Sequence, residues 1–486
     1  MIKQGDRSLE QALYHYFGFS SFREGQKEII ESVQLNQHTL ATLPTGSGKS
    51  ICYQLPAKLS KGTTLVVSPL ISLMIDQVKL LKSQGFKQVT SINSMLDQRQ
   101  KRNVLNHLHQ YQLVYCSPEM LQHPLVMNRL KQVGVSLFVI DEAHCISQWG
   151  HEFRPDYLRL KDVIKELNEP TVLALSATAT PKIQNDIIHY LDLEMKKIIY
   201  PMDRTNISYN VLKSNHVTEK QEQLLDVIER VNAPTMIYFS SRQVTEQICS
   251  QLQRNFPERS IAFYHGGMEQ HDRLLIQQQF MLGQLDIICC TSAFGMGINK
   301  DDVRLIIHYH LPSNIESFIQ ETGRAGRDGE HSVSVLLYTD GDEALPFQLI
   351  DSELPEDQEI ALYVNHDIKD SLTEVKERFL KLQIDQLNES SNEYIIKEII
   401  NIRNKRKEIK LKSVLELLKW VNVEQCRRQA LFESYQSVVR SSDYECCDHC
   451  GFVLTSWKVT QTDRRSNLNE WRRILNELLP NEKVTQ

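Results

Sequence analysis

The stretch HTLATLPTGSGKSICYQLPAKL, residues 38–59, joins a predicted β-strand to a predicted α-helix through a loop of glycine and serine. Glycines allow backbone N–H groups to surround a phosphate, and the N-terminus of the next helix adds partial positive charge. A strict phosphate-loop pattern would have another glycine at Leu43, but the core TGSGKS between a strand and a helix is specific. The stretch predicts a phosphate site, with a structural turn as the alternative.

The segment 42–50, called the phosphate loop below, supplies most of the candidate ligands for a nucleoside triphosphate. Lys49 can reach the β- and γ-phosphates, and the hydroxyl of Ser50 can ligate Mg²⁺. The predicted backbone cradle consists of Thr45, Gly46, Ser47 and Gly48. We therefore expect a nucleoside triphosphate and Mg²⁺ at this loop.

Short apolar runs alternate with helical patterns through the first two thirds of the chain, which predicts parallel sheets covered by helices. The first set of predicted strands lies at 38–43, 63–68, 112–117, 136–141 and 171–176. The second set lies at 235–240, 260–265, 285–291, 303–310 and 332–338. The predicted fold class is α/β with two parallel-sheet lobes, joined by a linker at 201–213.

The strand pattern fades after about residue 346, and residues 367–384 and 393–421 have helical patterns instead. We place the first lobe at 1–204 and the second at 205–345. A helical, cysteine-containing domain is expected at 346–455, followed by a short tail at 456–486.

Composition and charge limit the classes of protein that fit. A chain of 486 residues is long enough for several domains, and its 41% hydrophobic and 24% charged residues are ordinary for a globular protein. The net charge of −6 means that any surface for nucleic acid must be local. The first ten residues lack the apolar segment of a secretion signal, and apolar stretches such as 64–75 are too short to span a bilayer. We therefore expect an intracellular protein without a membrane partner.

Two adjacent carboxylates end the predicted strand in SLFVIDEAH, residues 136–144. Neighbouring strand residues point to opposite sides, so Asp141 is expected to hold Mg²⁺ while Glu142 orients and deprotonates the attacking water. His144 is expected to contact the γ-phosphate or to bond across to LSATAT, residues 175–180. An acidic pair alone would be weak evidence, but the phosphate loop upstream strengthens it.

The segment QETGRAGRDG, residues 320–329 and called the arginine loop below, places Gln320, Arg324 and Arg327 close together in the second lobe. Arginines offered to a γ-phosphate stabilise charge in the transition state. Arg327 and Arg324 are therefore candidate catalytic residues, and Gln320 is a candidate nucleotide ligand. A solvated basic turn is the alternative for this segment in isolation.

Four of the ten cysteines, Cys426, Cys446, Cys447 and Cys450, lie close together in the sequence. Four thiolates suit a closed tetrahedral Zn²⁺ site without catalytic chemistry. His449 or Asp448 could replace one thiolate, and reactive or disulfide-bonded thiols are the other alternative. Residues 401–440 also carry ten basic and four acidic side chains, which predicts either a DNA-binding stripe or a solvated face.

Taken together, DEAHC, the aromatic stretch after it, LSATAT, FGMGI and QETGRAGRDG resemble the RecQ family of superfamily 2 DNA helicases. YFGFSSFREGQ, residues 16–26, resembles that family's adenine-recognition motif, with Arg23 and Gln26 at the nucleotide. The resemblance implies two RecA-like lobes, ATP as substrate and a helical zinc-binding domain. It also implies that an aromatic-rich loop meets single-stranded DNA, through Trp149, Phe153, Arg154 and Tyr157. Stacking of an aromatic side chain on a base contributes roughly 1–3 kcal/mol per base to binding.

The resemblance further implies 3′–5′ movement on single-stranded DNA and unwinding of tailed or branched duplexes in repair and recombination. Expected properties are a monomer in the cytoplasm, associated with the nucleoid, with a single-stranded-DNA-binding protein as a candidate partner. The sequence departs from the family at Tyr444, where a cysteine is common. The 36 residues after Cys450 are also too few for the winged-helix and small helical domains of longer members.

Three other functions stay open at the level of sequence. An RNA helicase would share the nucleotide site but not the aromatic loop and cysteine cluster. A DNA translocase or annealing factor without strand separation would fit the short C-terminal region. A non-catalytic zinc-dependent DNA-binding protein fits least well with the set Lys49, Asp141, Glu142 and Arg327.

Overall fold

The computed structural model describes residues 8–69, 71–147, 155–294, 300–366, 372–387, 391–436, 438–457 and 459. The described part of the first lobe contains a seven-stranded parallel sheet. Five of its strands coincide with the predicted apolar runs and are mostly buried on both faces. Its strands are β1 (Thr39–Thr42), β2 (Thr63–Val67), β3 (Val89–Ile92), β4 (Leu113–Cys116), β5 (Val135–Ile140), β6 (Thr171–Ser176) and β7 (Lys196–Ile199). Their order across the sheet is β3-β4-β2-β5-β6-β1-β7. The carboxyl ends of β1, β5 and β6 therefore lie side by side, which places the phosphate loop next to the acidic pair.

In the described part of the first lobe, eight α-helices accompany the sheet. They are α1 (Leu9–Phe17), α2 (Gln26–Gln34), α3 (Ile51–Leu59), α4 (Ile71–Ser83), α5 (Gln98–Asn106), α6 (Pro124–Val133), α7 (Leu160–Glu166) and α8 (Pro181–Leu191). Local sequence signals set several of their ends. For example, α8 begins at Pro181 because the hydroxyl of Thr180 accepts the backbone N–H of Ile183 at 3.3 Å.

The second lobe contains a six-stranded parallel sheet. Its strands are β8 (Ile207–Ser214), β9 (Thr235–Tyr238), β10 (Ile261–Tyr264), β11 (Ile287–Cys290), β12 (Leu305–His308) and β13 (Ser332–Thr339). Their order is β10-β11-β9-β12-β13-β8, so the first strand of the lobe pairs with the last. Its helices are α9 (Val217–Arg230), α10 (Arg242–Asn255), α11 (Gln270–Met281) and α12 (Ile315–Thr322).

The helical region packs directly on the second lobe. It contains α13 (Ala344–Glu353), α14 (Asp357–His366), α15 (Glu374–Gln386), α16 (Asn392–Val421) and α17 (Arg427–Phe432). Trp420 and Phe432 belong to the same buried cluster as Tyr209 and Phe318 of the second lobe, and the rings of Phe318 and Trp420 are 4.7 Å apart. The residues after α16, 426–457, are called the cysteine module below. Its core is continuous with the core of the second lobe.

The predicted two-lobe α/β fold is confirmed, but the predicted linker at 201–213 is partly wrong. Residues 207–214 form β8, which pairs with β13 along its whole length. The pattern ISYNVLKS misled because Ser208 and Asn210 are polar yet buried. The hydroxyl of Ser208 donates to the carbonyl of Glu445 in the cysteine module at 2.6 Å, so tertiary contacts satisfy it.

The basic stripe predicted at 401–440 is smaller than its sequence suggested. Lys407 pairs with Asp351 at 2.6 Å, while Lys410 and Arg403 pair with acidic side chains. These acids, Glu353 and Asp357, lie on α13 and α14 and were outside the sequence window. The paired charges favour a solvated face over a phosphate-binding stripe for this side of α16.

Within the described parts of the chain, the helices lack the combination of length and apolar composition that a bilayer crossing requires.

Candidate nucleotide site and cysteine centre

The phosphate loop connects β1 to α3 in the predicted way, and Gly46 adopts a left-handed backbone with φ of +81°. A side chain there would be strained, and its Cβ would lie 2.8 Å from Cγ of Arg327. Gly323 of the arginine loop approaches as closely, because a Cβ on it would lie 2.8 Å from Cβ of Thr45. The arginine loop of the second lobe therefore contacts the phosphate loop of the first.

Side chains from outside the phosphate loop bind its backbone carbonyls. Nε2 of Gln26 donates to the carbonyls of Ser47 at 2.8 Å and Gly48 at 3.1 Å. Nη1 of Arg23 donates to the carbonyl of Gly46 at 2.5 Å. Nη1 of Arg204 donates to the carbonyl of Thr45 at 3.0 Å. Arg23 and Gln26, predicted as nucleotide ligands, thus lie against the loop, whereas Arg204 was missed by the sequence analysis.

Positive charge converges on this contact between the lobes. Burial, together with repulsion from the neighbouring cations Arg324 and Arg204, lowers the pKa of Arg327 to about 9. Burial also lowers the pKa of Arg204, with repulsion from Arg23 adding to the effect. Burial and mutual repulsion destabilise the charged forms of these guanidinium groups, and an anion that binds between them stabilises those charged forms. The arrangement suits a polyphosphate.

The two predicted catalytic arginines have different positions. Arg327 reaches the phosphate loop, as its contact with Gly46 shows. Arg324 is 5% exposed and lies beside Tyr238 inside the second lobe. Gln320 is also buried, and it lines a cleft in the second lobe together with Arg324. Among these three residues, Arg327 is therefore the one placed at the phosphate loop.

The acidic pair, Asp141 and Glu142, follows the last residue of β5. Strand alternation does not separate the two side chains, as the sequence analysis had assumed, because Glu142 has a left-handed backbone with φ of 50°. Burial, followed by repulsion from Glu142, raises the pKa of Asp141 to about 7, and Lys49 opposes this shift. Asp141 therefore favours a nearby cation, which fits its predicted role as a Mg²⁺ ligand.

Polar groups without partners mark the same edge of the first sheet. Among the described residues, the buried hydroxyls of Thr42, Ser47 and Thr178 have no hydrogen-bond partner. Burying a hydroxyl without a partner costs on the order of 1–3 kcal/mol, so a polar ligand at this edge is favoured. Together with Lys49 and the acidic pair, these groups fit a nucleotide and its Mg²⁺.

His144 forms one of the two contacts that the sequence predicted for it. The ring is fully buried, and Nδ1 lies 3.0 Å from the hydroxyl of Ser176 in LSATAT. Nδ1 also lies 3.5 Å from Oε2 of Glu142. His144 therefore connects the acidic pair to the end of β6.

The four cysteines predicted as zinc ligands lie together, with all four Sγ atoms within 4.8 Å of one another. The Sγ atoms of Cys426 and Cys446 are 3.6 Å apart, close to the ~3.8 Å expected for tetrahedral Zn–S bonds of about 2.3 Å. The donor set therefore fits zinc. Asp448 is a poor substitute ligand, because its carboxylate accepts two hydrogen bonds from Nε of Arg427 at 2.6 and 2.8 Å.

The prediction that Tyr157 meets single-stranded DNA is wrong in this structure. Tyr157 is 1% exposed, and its hydroxyl donates to the carbonyl of Asp141 at 3.1 Å. The resemblance of its segment to the aromatic-rich loop of the family had implied a DNA contact, but its ring belongs to the buried core of the first lobe. Trp149, Phe153 and Arg154 lie outside the described residues, and so do residues 295–299, which include most of the motif FGMGI.

A cleft of about 630 Å³ lies between the second lobe and α16. Its lining includes hydroxyl groups of Ser240 and Thr291, the cations Arg242 and Arg406, and Ile183 of α8 in the first lobe. Hydroxyl and basic groups of this kind suit a phosphodiester backbone, whereas the carboxylates Glu316, Glu321 and Glu353 in the same lining do not. No single sequence motif indicates the cleft, because its walls come from segments far apart in the chain.

The fold and the nucleotide site together define a class of proteins, the helicases built from two RecA-like lobes. Residues 23–187 match the family profile described as DEAD/DEAH box helicase, and residues 219–329 match the helicase conserved C-terminal domain. Two solved structures share the fold. Helicase Lhr from Mycobacterium smegmatis, bound to single-stranded DNA and AMP-PNP, has a TM-score of 0.58 and 21% identity, over 71% of this chain and 49% of that one. Saccharomyces cerevisiae Dbp5, bound to RNA and ADP BeF3, has a TM-score of 0.58 and 15% identity, over 72% of this chain and 91% of that one.

Curated relatives identify the family within this class. The chain is 41% identical to the probable ATP-dependent DNA helicase RecS of Bacillus subtilis, over 97% of both chains. It is also 41% identical to the ATP-dependent DNA helicase RecQ of Haemophilus influenzae, over 68% of this chain. The match spans 53% of that protein, about half its length. The chain belongs to the RecQ family and is an ATP-dependent DNA helicase.

Proposed function

We propose that the chain hydrolyses ATP between its two lobes in order to move 3′ to 5′ along single-stranded DNA and separate duplexes. The observation that supports this most directly is the group of cations from the second lobe and the linker at the phosphate loop. Arg327 approaches Gly46 and Arg204 binds the carbonyl of Thr45, while Lys49 and the acidic pair lie on the first lobe. ATP placed between the lobes would join them, and hydrolysis would weaken that connection.

Individual roles at the nucleotide follow from these positions. Lys49 would bind the phosphates, and the backbone of Thr45, Gly46, Ser47 and Gly48 would surround them. Ser50 and Asp141 would hold Mg²⁺, which when bound neutralises phosphate charge. Glu142 would orient the attacking water, and Arg327 would stabilise the transition state, with Arg324 and His144 in support. Arg23 and Gln26, which bind the phosphate loop, would complete nucleotide recognition. A nucleotide contact of Gln320 is proposed from the motif alone, because its side chain lines the cleft in the second lobe.

The DNA path is proposed to run through the cleft between the second lobe and α16. Trp149, Phe153 and Arg154 are proposed as DNA contacts, because their segment resembles the aromatic-rich loop of the family. Tailed or branched duplexes in DNA repair and recombination are the proposed substrates, in the cytoplasm and at the nucleoid. A monomer is proposed, with a single-stranded-DNA-binding protein as a candidate partner.

A structural zinc ion is proposed for the cysteine module, with Cys426, Cys446, Cys447 and Cys450 as ligands. When bound, zinc would cross-link residues that lie 20 or more positions apart in the sequence. The continuity of the module core with the second lobe supports a stabilising role for this ion.

A paired assay of ATP hydrolysis and strand separation tests the proposed function. The substrates are a 3′-tailed DNA duplex, a 5′-tailed DNA duplex and a 3′-tailed RNA duplex, with Lys49→Ala as the inactive control. We expect separation of the 3′-tailed DNA alone. ATP hydrolysis without strand separation would indicate a translocase and would overturn the proposed unwinding activity. Preference for the RNA duplex would overturn DNA as the proposed substrate.

A further inference from the structure

The segment that connects the lobes is held by the cysteine module. The backbone N–H of Met202 donates to Oε1 of Gln436 at 2.8 Å, and Nε2 of Gln436 donates to Oδ1 of Asp203 at 2.9 Å. Oδ2 of Asp203 accepts the backbone N–H of Arg440 at 2.8 Å. These hydrogen bonds fix the backbone on the N-terminal side of Arg204.

Arg204 extends from this fixed backbone into the contact between the lobes. Its Nη1 donates to the carbonyls of Thr45 at 3.0 Å and Gly323 at 3.3 Å, and its Nη2 donates to the carbonyl of Gly326. One guanidinium therefore binds the phosphate loop and the arginine loop at once. Its planar set of donors allows this, whereas a lysine ammonium is a single compact donor group.

Arg428 of the cysteine module fixes Arg204 from the other side. Its Nη1 donates to the carbonyl of Arg204 at 2.8 Å, and its Nη2 donates to the carbonyl of Ile207. Its Nε lies 3.2 Å from Sγ of Cys446. Arg428 is 1% exposed, so this arrangement is enclosed by the protein. A continuous set of contacts thus runs from a cysteine of the candidate zinc centre to the phosphate loop.

We propose that Arg204 is a positioning residue for ATP hydrolysis, which sets the spacing between the phosphate loop and the arginine loop, and that the cysteine module holds it in place through Arg428. The inference rests on the proposed roles of the phosphate loop and Arg327. Arg204 binds carbonyl groups of both loops, so it acts through the position of Arg327 relative to the phosphates. A misplacement of about 1 Å in such a group can reduce a rate roughly 100-fold.

The test compares Arg204→Lys, Arg204→Ala and Arg428→Lys with the full-length wild-type chain. Arg259→Ala is a matched control, because Nη1 of Arg259 also donates to a backbone carbonyl, that of Val231, at 2.9 Å, within the second lobe. The measurements are kcat and KM for ATP with saturating single-stranded DNA, the affinity for a fluorescent ADP analogue, the affinity for single-stranded DNA, and the melting temperature. ADP affinity reports on the phosphate loop without requiring transition-state stabilisation.

We expect both lysine variants to lose roughly 10- to 100-fold in kcat, while KM and ADP affinity change by less than about threefold. Arg259→Ala should retain the wild-type kcat. A kcat within twofold of wild type for Arg204→Lys would overturn the positioning role. If Arg204→Lys is impaired but Arg428→Lys has a normal kcat, the proposed role of the cysteine module in holding Arg204 is wrong. A wild-type chain without DNA-stimulated ATP hydrolysis would instead overturn the proposed function, and this inference with it.

Discussion

Nδ1 of His144 lies 3.0 Å from the hydroxyl oxygen of Ser176, and this contact joins the acidic pair to the end of β6. The same hydroxyl accepts the backbone N–H of Thr178 at 3.2 Å, so it also fixes the turn that precedes α8. Ile183 of α8 lines the cleft next to the second lobe. A short structural route therefore connects the acidic pair with the proposed DNA path.

Removal of the Ser176 hydroxyl should weaken this connection more than it weakens ATP hydrolysis. We expect Ser176→Ala to reduce the number of base pairs separated per ATP severalfold, because Lys49 and the acidic pair remain in place. The measurement is strand separation and ATP hydrolysis on the same tailed duplex. Ser136→Ala is the control, because its hydroxyl donates to the carbonyl of Thr63 at 3.3 Å near the start of β5. An equal loss in both activities would contradict the expectation.

Substitution of Asp141 by asparagine should stabilise the chain when nucleotide and Mg²⁺ are absent. Burial and Glu142 raise the pKa of Asp141 in the folded chain to about 7, above the ordinary value of 3.8. Between these values the folded state binds the proton and the unfolded state does not, so the free energy of unfolding falls as pH rises. The stability gain of Asp141→Asn should therefore grow between pH 5 and pH 8, by up to about 3 kcal/mol.

Chemical denaturation at several pH values checks this prediction. Asp226→Asn is a suitable control, because that carboxylate is exposed and pairs with Arg230 on the surface. A stability difference between wild type and Asp141→Asn that stays constant with pH would contradict the raised pKa.

The cysteine set can be tested by metal content. We expect about one zinc ion per chain in the wild-type protein, and its loss in Cys426→Ser and Cys450→Ser because a closed site needs all four thiolates. Loss of zinc should also lower the melting temperature, since the module shares its core with the second lobe. His449→Ala should keep its zinc, and elemental analysis of the purified variants distinguishes the cases. Loss of zinc from His449→Ala would instead indicate a mixed ligand set.

Tyr157 should behave as a core residue. Tyr157→Ala is expected to cost about 3–5 kcal/mol in the free energy of unfolding, as for other buried aromatic side chains. Tyr157→Phe keeps the ring and loses only the hydrogen bond to the carbonyl of Asp141, worth about 1 kcal/mol. The affinity of Tyr157→Phe for single-stranded DNA should stay within about twofold of wild type. A weaker affinity at unchanged stability would restore a direct role in DNA binding.

Lys407 should contribute little to DNA binding, because Asp351 of α13 pairs with it and offsets its charge. We expect Lys407→Gln to leave the salt dependence of DNA affinity unchanged. Each lost phosphate contact would instead reduce the slope of log K against log salt by about 1. Arg242→Gln in the cleft provides the comparison, since we expect it to reduce this slope.

Much of the fold can be predicted from short-range sequence patterns. The features that could not be predicted depend on contacts with residues far away in the chain. The run TVLALS predicted β6 with its observed bounds, because a continuous apolar segment suits a strand that is buried on both faces. β3 and β7 were missed, since VTSI and KKII are short and mixed in polarity. The acidic pair and phosphate loop were found because their residue types carry chemistry. Arg204 was not, because its partners are backbone carbonyls that carry no sequence signal.

The pairing of β8 with β13 has a consequence for synthesis of the chain on the ribosome. The first strand of the second lobe has to wait for residues 332–339 before it gains its partner. On the other side of β8, the backbone N–H of Tyr209 gains its acceptor, the carbonyl of Cys446, only after the cysteine module has been synthesised. Unpaired strand edges promote aggregation, and domains fold from the N-terminus as they emerge. Nascent chains that end before the cysteine module should therefore be the ones that most need chaperone protection.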